Sequence, residues 1–324
     1  MTTYPQIKGL RVKYLSADPA TSEDGQVWYN STTGNLRVDG MVLAAAWASG
    51  GALGTARNSL AGAGTATAAI GFGGYIPPNT GTTEEYNGTS WTEVSDLNTA
   101  RRELAGFGTQ SAAIASGGYT SPSPIGITES WNGTSWSEVG DLNTGRFSLT
   151  GFGTSTAGLV FSGNTPPFDT ATAITESWNG SSWSEVGDLN TAVRSGAGSG
   201  TSTAGLSYGG ISTAITTQTE SWNGSAWTVV NAMNTARRGL SGSGTQTSTL
   251  ASGGIKPALS NNTEQYNGTT WNTAPTLSTA RQLAGQGGSS SSSATYFGGA
   301  APSSTAVTEE FTGASTQTKN ITTS

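Results

Sequence analysis

The stretch from Thr128 to Arg146 reads TESWNGTSWSEVGDLNTGR, and the rest of the chain is read from it. Near-copies run over Thr83–Arg101, Thr175–Arg194, Thr219–Arg237 and Thr263–Arg281. A worn copy, TEEFTGAST, starts at Thr308, and half a copy, WASGGALGTAR, occupies Trp47–Arg57. A tryptophan recurs at Trp47, Trp91, Trp136, Trp183, Trp227 and Trp271, at intervals of 44, 45, 47, 44 and 44 residues. An arginine follows it at Arg57, Arg101, Arg146, Arg194, Arg237 and Arg281. The glutamate of the Thr-Glu pair falls at Glu84, Glu129, Glu176, Glu220, Glu264 and Glu309.

A fixed period in the forties with several short β-like runs per period is the pattern of a propeller blade. One period parses as four strands: residues 103–108 (ELAGFG), 111–116 (SAAIAS), 127–131 (ITESW) and 134–139 (TSWSEV). Between the last two, Asn132-Gly133 predicts a two-residue type I′ hairpin turn, in which both central residues need φ > 0. Gly and Ala on the innermost strands suit crowding at an axis. The fourth-strand tryptophan is placed to wedge between adjacent blades. Burying one removes roughly 150–250 Å² from water, a gross gain of ~4–6 kcal/mol before entropy.

The phase of the repeat predicts the fold class: all-β, a six-bladed propeller of four-stranded antiparallel blades, preceded by a short β-hairpin arm. The array begins with a lone fourth strand around Trp47 and ends with a third strand around Phe311, where Thr316 stands in place of the expected tryptophan. The strand around Trp47 is therefore expected to complete the sixth blade. Residues 1–40 form the arm and 41–324 the propeller, with the closing strand near 41–49, blades from 57 to 313, and a tail of 314–324 that is free or adds an outer strand. In the arm, residues 8–15 (KGLRVKYL) read as one strand, and the runs QVWYN and NLRV around Ser-Thr-Thr-Gly predict a hairpin. Residues 41–46 (MVLAAA) fit a short strand or one helical turn.

Composition narrows the function classes. The chain has 324 residues, 10% of them charged, with a formal net charge of −6. Ser, Thr, Gly and Asn supply the polarity, which favours turns and strands over helices. Lys and Arg total 14, six of which are the one arginine per repeat, so nucleic-acid binding lacks its electrostatic footprint. The chain has no Cys and no His, which removes disulfides, thiolate metal sites, the commonest general base and the commonest neutral metal ligand. No cofactor or metal is expected. No apolar run approaches the ~20 residues of a membrane-spanning helix, and MTTYPQIKGLRVKYL lacks the apolar core of a signal peptide, so membrane insertion and secretory export are not expected.

With Gly117-Gly118, Trp131, Trp136 and the following Thr-x-Arg in this order, the repeats resemble the kelch family of β-propellers. The Gly doublet recurs at 73–74, 209–210, 253–254 and 298–299, while the third copy has Ser162-Gly163 instead. The resemblance covers Trp47 to Gly313. A second, narrower resemblance rests on Asp18-Pro19-Ala20 and on Gly25–Asn30, within DPATSEDGQVWYNSTTGNLRV, continuing into AWASGGALGTAR. It is similar to proteins of marine and cyanobacterial phages that join such a hairpin to kelch-like repeats in tail, fibre or other virion components.

Each candidate chemistry has a plainer reading. The six glutamates could be acids, but repetition in every blade fits pairing with the repeat arginines, and a carboxylate held by an arginine is a poor proton donor. Asn-Gly-Thr/Ser at Asn87, Asn132, Asn179, Asn223 and Asn267 matches a glycosylation sequon and equally a turn. Asp96, Asp141 and Asp188 offer one carboxylate per site, thin for Ca²⁺ and suited to a cap. Gly62-Ala63-Gly64 lacks the helix and lysine of a phosphate loop. A site like that of the galactose oxidases, which share the propeller, needs His and a cross-linked Cys–Tyr, both missing from this composition.

The loops between the Gly doublet and the Thr-Glu pair vary while the framework repeats, which is where specificity resides. Tyr75, Tyr119 and Phe168 are the expected contact residues. The resemblance implies a non-enzymatic virion structural protein with the propeller as a docking or host-surface binding module. Residues 1–40 would attach it to other virion proteins, with oligomers in the assembly and a host glycan or surface protein as ligand. The alternative is a bacterial carbohydrate-binding lectin or adhesin. A glycan hydrolase would need a carboxylate pair unique to one blade, and the sequence offers none.

Overall fold

The computed structural model describes residues 12–20, 26–166 and 170–321. Among them every regular element is a strand. The chain divides into two compact units, Ala46–Thr312 on the one hand and Met1–Ala45 with Gly313–Ser324 on the other.

The unit Ala46–Thr312 contains six four-stranded antiparallel sheets, consistent with the blades of a β-propeller. In the first, the strands are Ala61–Gly64, Ala69–Phe72, Thr83–Tyr86 and Trp91–Val94, in that spatial order. The second to fifth repeat this within residues 105–138, 150–185, 197–230 and 241–274. The sixth takes Gly285–Ser290, Ser293–Phe297 and Thr308–Thr312 from the end of the unit and Ala46–Ser49 from its beginning. There Trp47 stands opposite Phe311 and Ser49 opposite Glu309.

The first strands of successive sheets are neighbours in cyclic order, with Gly285–Ser290 beside Ala61–Gly64. Just ahead of these strands, six residues hold left-handed backbone: Ser59 (φ 57°), Glu103 (53°), Ser148 (54°), Ser195 (54°), Gly239 (60°) and Leu283 (55°). Each donates its N–H to the carbonyl of the equivalent residue in the preceding sheet, from Glu103 to Ser59 onward through Leu283 to Gly239, at 2.7–2.9 Å. The sixth bond runs from Ser59 back to Leu283, at 2.8 Å. The positive φ, uncommon outside glycine, is the geometry that lets one residue face both neighbours. It is offset by a bond that would otherwise be an orphan buried donor and acceptor.

The tryptophans act between sheets. Trp136 Nε1 donates to Thr83 Oγ1 of the preceding sheet at 3.2 Å, and Trp183, Trp227 and Trp271 repeat this with Thr128, Thr175 and Thr219. Trp91 donates to Thr308 and Trp47 to Thr263, so all six tryptophans follow one rule. The threonine of each Thr-Glu pair is thus the acceptor for the next sheet, a role that no repeat pattern pointed to. We expect Trp136→Phe, which keeps an aromatic ring but removes the donor, to lower stability by about 0.5–1.5 kcal/mol, the net worth of one buried hydrogen bond, because the Thr83 hydroxyl keeps the Gly81 carbonyl as its acceptor. An unchanged urea midpoint would show the bond to be idle.

Small residues on the second strands have a second cause besides the axis. A Cβ at Gly205 would lie 2.0 Å from Phe152 Cζ, and one at Gly158 would lie 2.3 Å from Phe107 Cε2. These glycines receive phenyl rings from the neighbouring sheet. The Ser162-Gly163 departure is accommodated because Ser162 takes φ 63°, matching the first glycine of the other doublets, such as Gly117 at 64°.

Three sequence expectations need correcting. The Asn-Gly turns are not two-residue hairpins. Trp131 pairs with Trp136, leaving Asn132–Ser135 as a four-residue loop in which Gly133 has φ +90° and Asn132 does not enter the positive region. Asn132 Oδ1 instead accepts the N–H groups of Thr134 and Ser135, both at 2.9 Å, so the asparagine is selected for its side-chain acceptor. The strand that pairs with Thr308–Thr312 is Ala46–Ser49, while residues 41–43 belong to a strand of the other unit. The tail adds an outer strand, one of its two expected forms, but to the other unit's sheet: Ser315–Ile321 pairs with Asn35–Leu43 and groups with the N-terminal segment.

The second unit is a four-stranded sheet in the order Lys13–Leu15, Val27–Asn30, Asn35–Leu43, Ser315–Ile321. The predicted hairpin is present, with Asn30 opposite Asn35, and Lys13–Leu15 adds to it in parallel. Residues 8–11 of the predicted first strand lie outside the described residues. Asp18 ties the unit together. Its Oδ1 accepts from Trp28 Nε1 at 3.0 Å and Asn30 Nδ2 at 2.8 Å, and its Oδ2 pairs with Arg37. Trp28 is 1% exposed.

Two tyrosines buried inside the six-sheet unit give it an alkaline limit. Burial pushes the Tyr296 phenol from 10.0 up to about 12, and burial also pushes Tyr208 up. Above pH 10 the unfolded chain releases these protons while the folded chain keeps them, so stability falls as pH rises from about 10 to about 12. Tyr296 alone accounts for a loss of about 3 kcal/mol across that window. Urea midpoints measured from pH 9 to 12 should fall less steeply for Tyr296→Phe, and parallel curves would refute the assignment.

Candidate binding rim

The repeated charged residues make a buried framework. Glu129 is the clearest case: Oε2 accepts from the backbone N–H and side-chain amide of Asn98, both at 2.8 Å, and Oε1 from Thr99 N at 3.2 Å and Arg101 Nη1 at 2.8 Å. Arg101 Nη2 reaches the Ala115 carbonyl at 3.1 Å. Arg57–Glu84, Arg146–Glu176, Arg237–Glu264 and Arg281–Glu309 repeat the pair, each buried. Burial draws the Arg101, Arg146 and Arg237 pKa values down, and the paired glutamates oppose that. A carboxylate with four donors around it is held in place and has no open side for a substrate.

Arg194 does not belong to this set. The residue in the arginine position of the fourth sheet is Val193, 5% exposed. Arg194 bridges Ile211 as Arg102 bridges Tyr119, one residue past the buried site. Glu220 is held by neutral donors instead: Asn190 N and Nδ2, Thr191 N, and Gln218 Nε2 at 2.8 Å. The cause is the extra residue in Thr191-Ala-Val-Arg194, and its signal was legible, because Val193, not Arg194, lies sixteen residues before the glycine doublet as Arg101 does.

Asp96, Asp141 and Asp188 cap the third strands, accepting the N–H of Thr83, Thr128 and Thr175 at 3.0, 3.1 and 3.0 Å. Among the described residues no group of three or more His, Cys, Asp or Glu is placed to hold a metal ion, and no helix is long and apolar enough to cross a membrane. The space between the first strands holds a cavity of about 150 Å³ lined by Ser59, Glu103, Ser148 and Leu283 among others, and one of about 100 Å³ lined largely by glycines. Gln286, in the layer otherwise made of Gly62, Gly106, Gly151, Gly198 and Gly242, borders both and donates to Ser243 Oγ at 2.9 Å.

The variable loops and the links between sheets share one rim, because residues after the buried arginines bridge residues after the glycine doublets: Asn58 to Tyr75, Arg102 to Tyr119, Phe147 to Asn164, Arg238 to Ile255. Tyr75 and Tyr119 meet there through a residue that sequence reasoning did not single out. The Arg102 guanidinium carbon lies 4.7 Å from the Tyr75 ring centre and 4.8 Å from that of Tyr119. Phe147 extends the row, its ring 5.4 Å from Tyr119. Asn79 fixes the arrangement, accepting from Arg102 Nη1 at 3.0 Å and donating to the Tyr119 carbonyl at 2.8 Å. All of these side chains are half-buried. Phe168, the third expected contact, lies outside the described residues. The available signal was the doublet Arg101-Arg102, since a second arginine directly after the buried one must emerge on the rim.

No family model matches the chain, and no curated protein matches it. Among solved structures it is similar to YjhT, with a TM-score of 0.68 and 12% identity, covering 82% of this chain and 99% of that one. That likeness concerns the fold.

Proposed function

We propose that the chain is a non-enzymatic structural protein of a phage particle, a tail, fibre or decoration component. Its six sheets form a kelch-like propeller closed by Ala46–Ser49, and that propeller serves as a docking or host-surface binding module. The carrying observation is the division of labour within the unit: five repeat arginines and their glutamates are consumed in a buried framework, whereas among the described residues Tyr75, Arg102, Tyr119 and Phe147 are combined once, on the rim. The virion assignment is supported by the resemblance at Asp18-Pro19-Ala20 and Gly25–Asn30. Asp18, Trp28 and Asn30 from those runs make one hydrogen-bonded unit, a small module suited to attaching the chain to other virion proteins.

Mass spectrometry of purified particles tests the assignment. The chain should be present at a stoichiometric copy number, and particles without it would sink the reading. The alternative, a bacterial carbohydrate-binding lectin or adhesin, draws on the aromatic row of the rim. It predicts the chain on the cell surface in cultures free of phage.

A further inference from the structure

The four-stranded sheet of the second unit has two unlike faces. One carries Trp28 and Asn30, both buried, with Arg37 opposite Trp28 and Asp18 bonded to all three. On the other, Tyr14, Tyr29 and Leu36 stand side by side across three strands, and Val27 and Val38 form the next pair. Side chains of a strand alternate between faces, so these five share one. The Tyr14 and Tyr29 rings touch there, with centroids 4.5 Å apart. None of the five is buried: Tyr14 is 74% exposed, and the other four are half-buried. Val12, two residues before Tyr14, is 44% exposed. At the far edge Ile321 is in register with Leu36 and Lys319 with Val38. Trp28 is the one buried apolar side chain among the described residues of this unit. The burial is thus inverted: the polar network is covered while the more apolar face stays open, whereas a half-solvated antiparallel sheet ordinarily covers its apolar face.

We infer that this face is where two copies of the chain meet, sheet on sheet. Charge, size and shape select that partner. The five positions carry no charge, so opposite charge on a partner gains nothing there, and an apolar face of a second copy matches it. A patch of this kind exposes roughly 300–600 Å². Two copies then bury about 600–1,200 Å² in all, which places the pair at the weak end of specific interfaces. The large rings lie on the first and second strands and the smaller Leu36 and Val38 on the third. A two-fold axis along the strands sets Tyr14 of each copy over the Leu36 side of the other, large against small, as an isologous contact between aligned sheets requires. The inference gives the attachment module a partner, and its readout does not depend on the virion assignment.

The test follows the full chain by sedimentation velocity from low micromolar to near-millimolar concentration, at low and high salt. The expected result is reversible dimerisation with a midpoint on the order of 100 μM, the range of a small interface. Added salt should strengthen it or leave it unchanged, because two copies of net charge −6 repel. Tyr14→Glu should weaken it at least about tenfold, because it places a carboxylate from each copy in the apolar contact. Since Tyr14 also touches Tyr29, Val12→Glu serves as the second variant and should weaken association several-fold. Val229→Glu, at an exposed valine of the six-sheet unit, should leave it unchanged. A chain that stays monomeric, association that salt weakens, unaltered association in both variants of the second unit, or an equal loss with Val229→Glu would overturn the inference. So would a monomer whose Tyr14→Glu variant is lost from particles, since the face would then meet a different virion protein.

Discussion

A chain that starts at Gly50 is expected to lose the cooperative unfolding of the six-sheet unit. It lacks Ala46–Ser49, leaving Thr308–Thr312 with an unpaired edge. It also lacks Trp47, whose indole stacks with Phe311 at 5.2 Å and bonds Thr263 of the fifth sheet at 3.1 Å. Removing a packed tryptophan costs about 3–5 kcal/mol, and each lost ladder bond adds about 1 kcal/mol. Together these approach the whole net stability of an ordinary domain, about 5–15 kcal/mol. The free edge is also a template for pairing with other chains. Urea unfolding followed by tryptophan fluorescence should show a broadened, earlier transition, with larger species on a sizing column. A permutant carrying residues 44–49 after Gly313 should restore the transition. A truncated chain with an unchanged midpoint would refute ring closure by this strand, and with it the propeller proposed above.

The second large effect separates two glutamates that look alike in sequence. Glu129→Gln is expected to cost about 3–5 kcal/mol, because it strands the Arg101 guanidinium, which has no solvent exposure, without its counter-charge. Glu220→Gln should cost about 1–2 kcal/mol, because every donor around Glu220 is neutral and the Gln218 amide can turn to present its oxygen. Chemical denaturation of the two variants side by side is the measurement. Equal losses would mean that charge compensation is not what distinguishes the fourth sheet.

The second prediction shows where the repeat pattern misled. Counting one arginine per copy placed Arg194 in the framework, whereas backbone position places Val193 there. A consensus records residue types, but burial follows the position along the strand, and one inserted residue exchanges the two. The Asn-Gly reading failed in a related way. The dipeptide has two uses, backbone freedom and a side-chain acceptor, and the distance between the paired aromatics decided for the second.

The sequence alone determined the all-β class, the four-strand period, the tryptophan at each contact between sheets, and the pairing of strands around Trp47 and Phe311, because these depend on local pattern and on phase counted along the chain. Tertiary structure alone decided the rest: the tryptophan-to-threonine bonds, the six left-handed residues linked head to tail, the tail joined to Asn35–Leu43, and Arg102 between Tyr75 and Tyr119. These contacts join residues tens to hundreds of positions apart. Hydrogen-bonding direction and ring stacking act through space, and no periodicity along the chain encodes which residues they bring together.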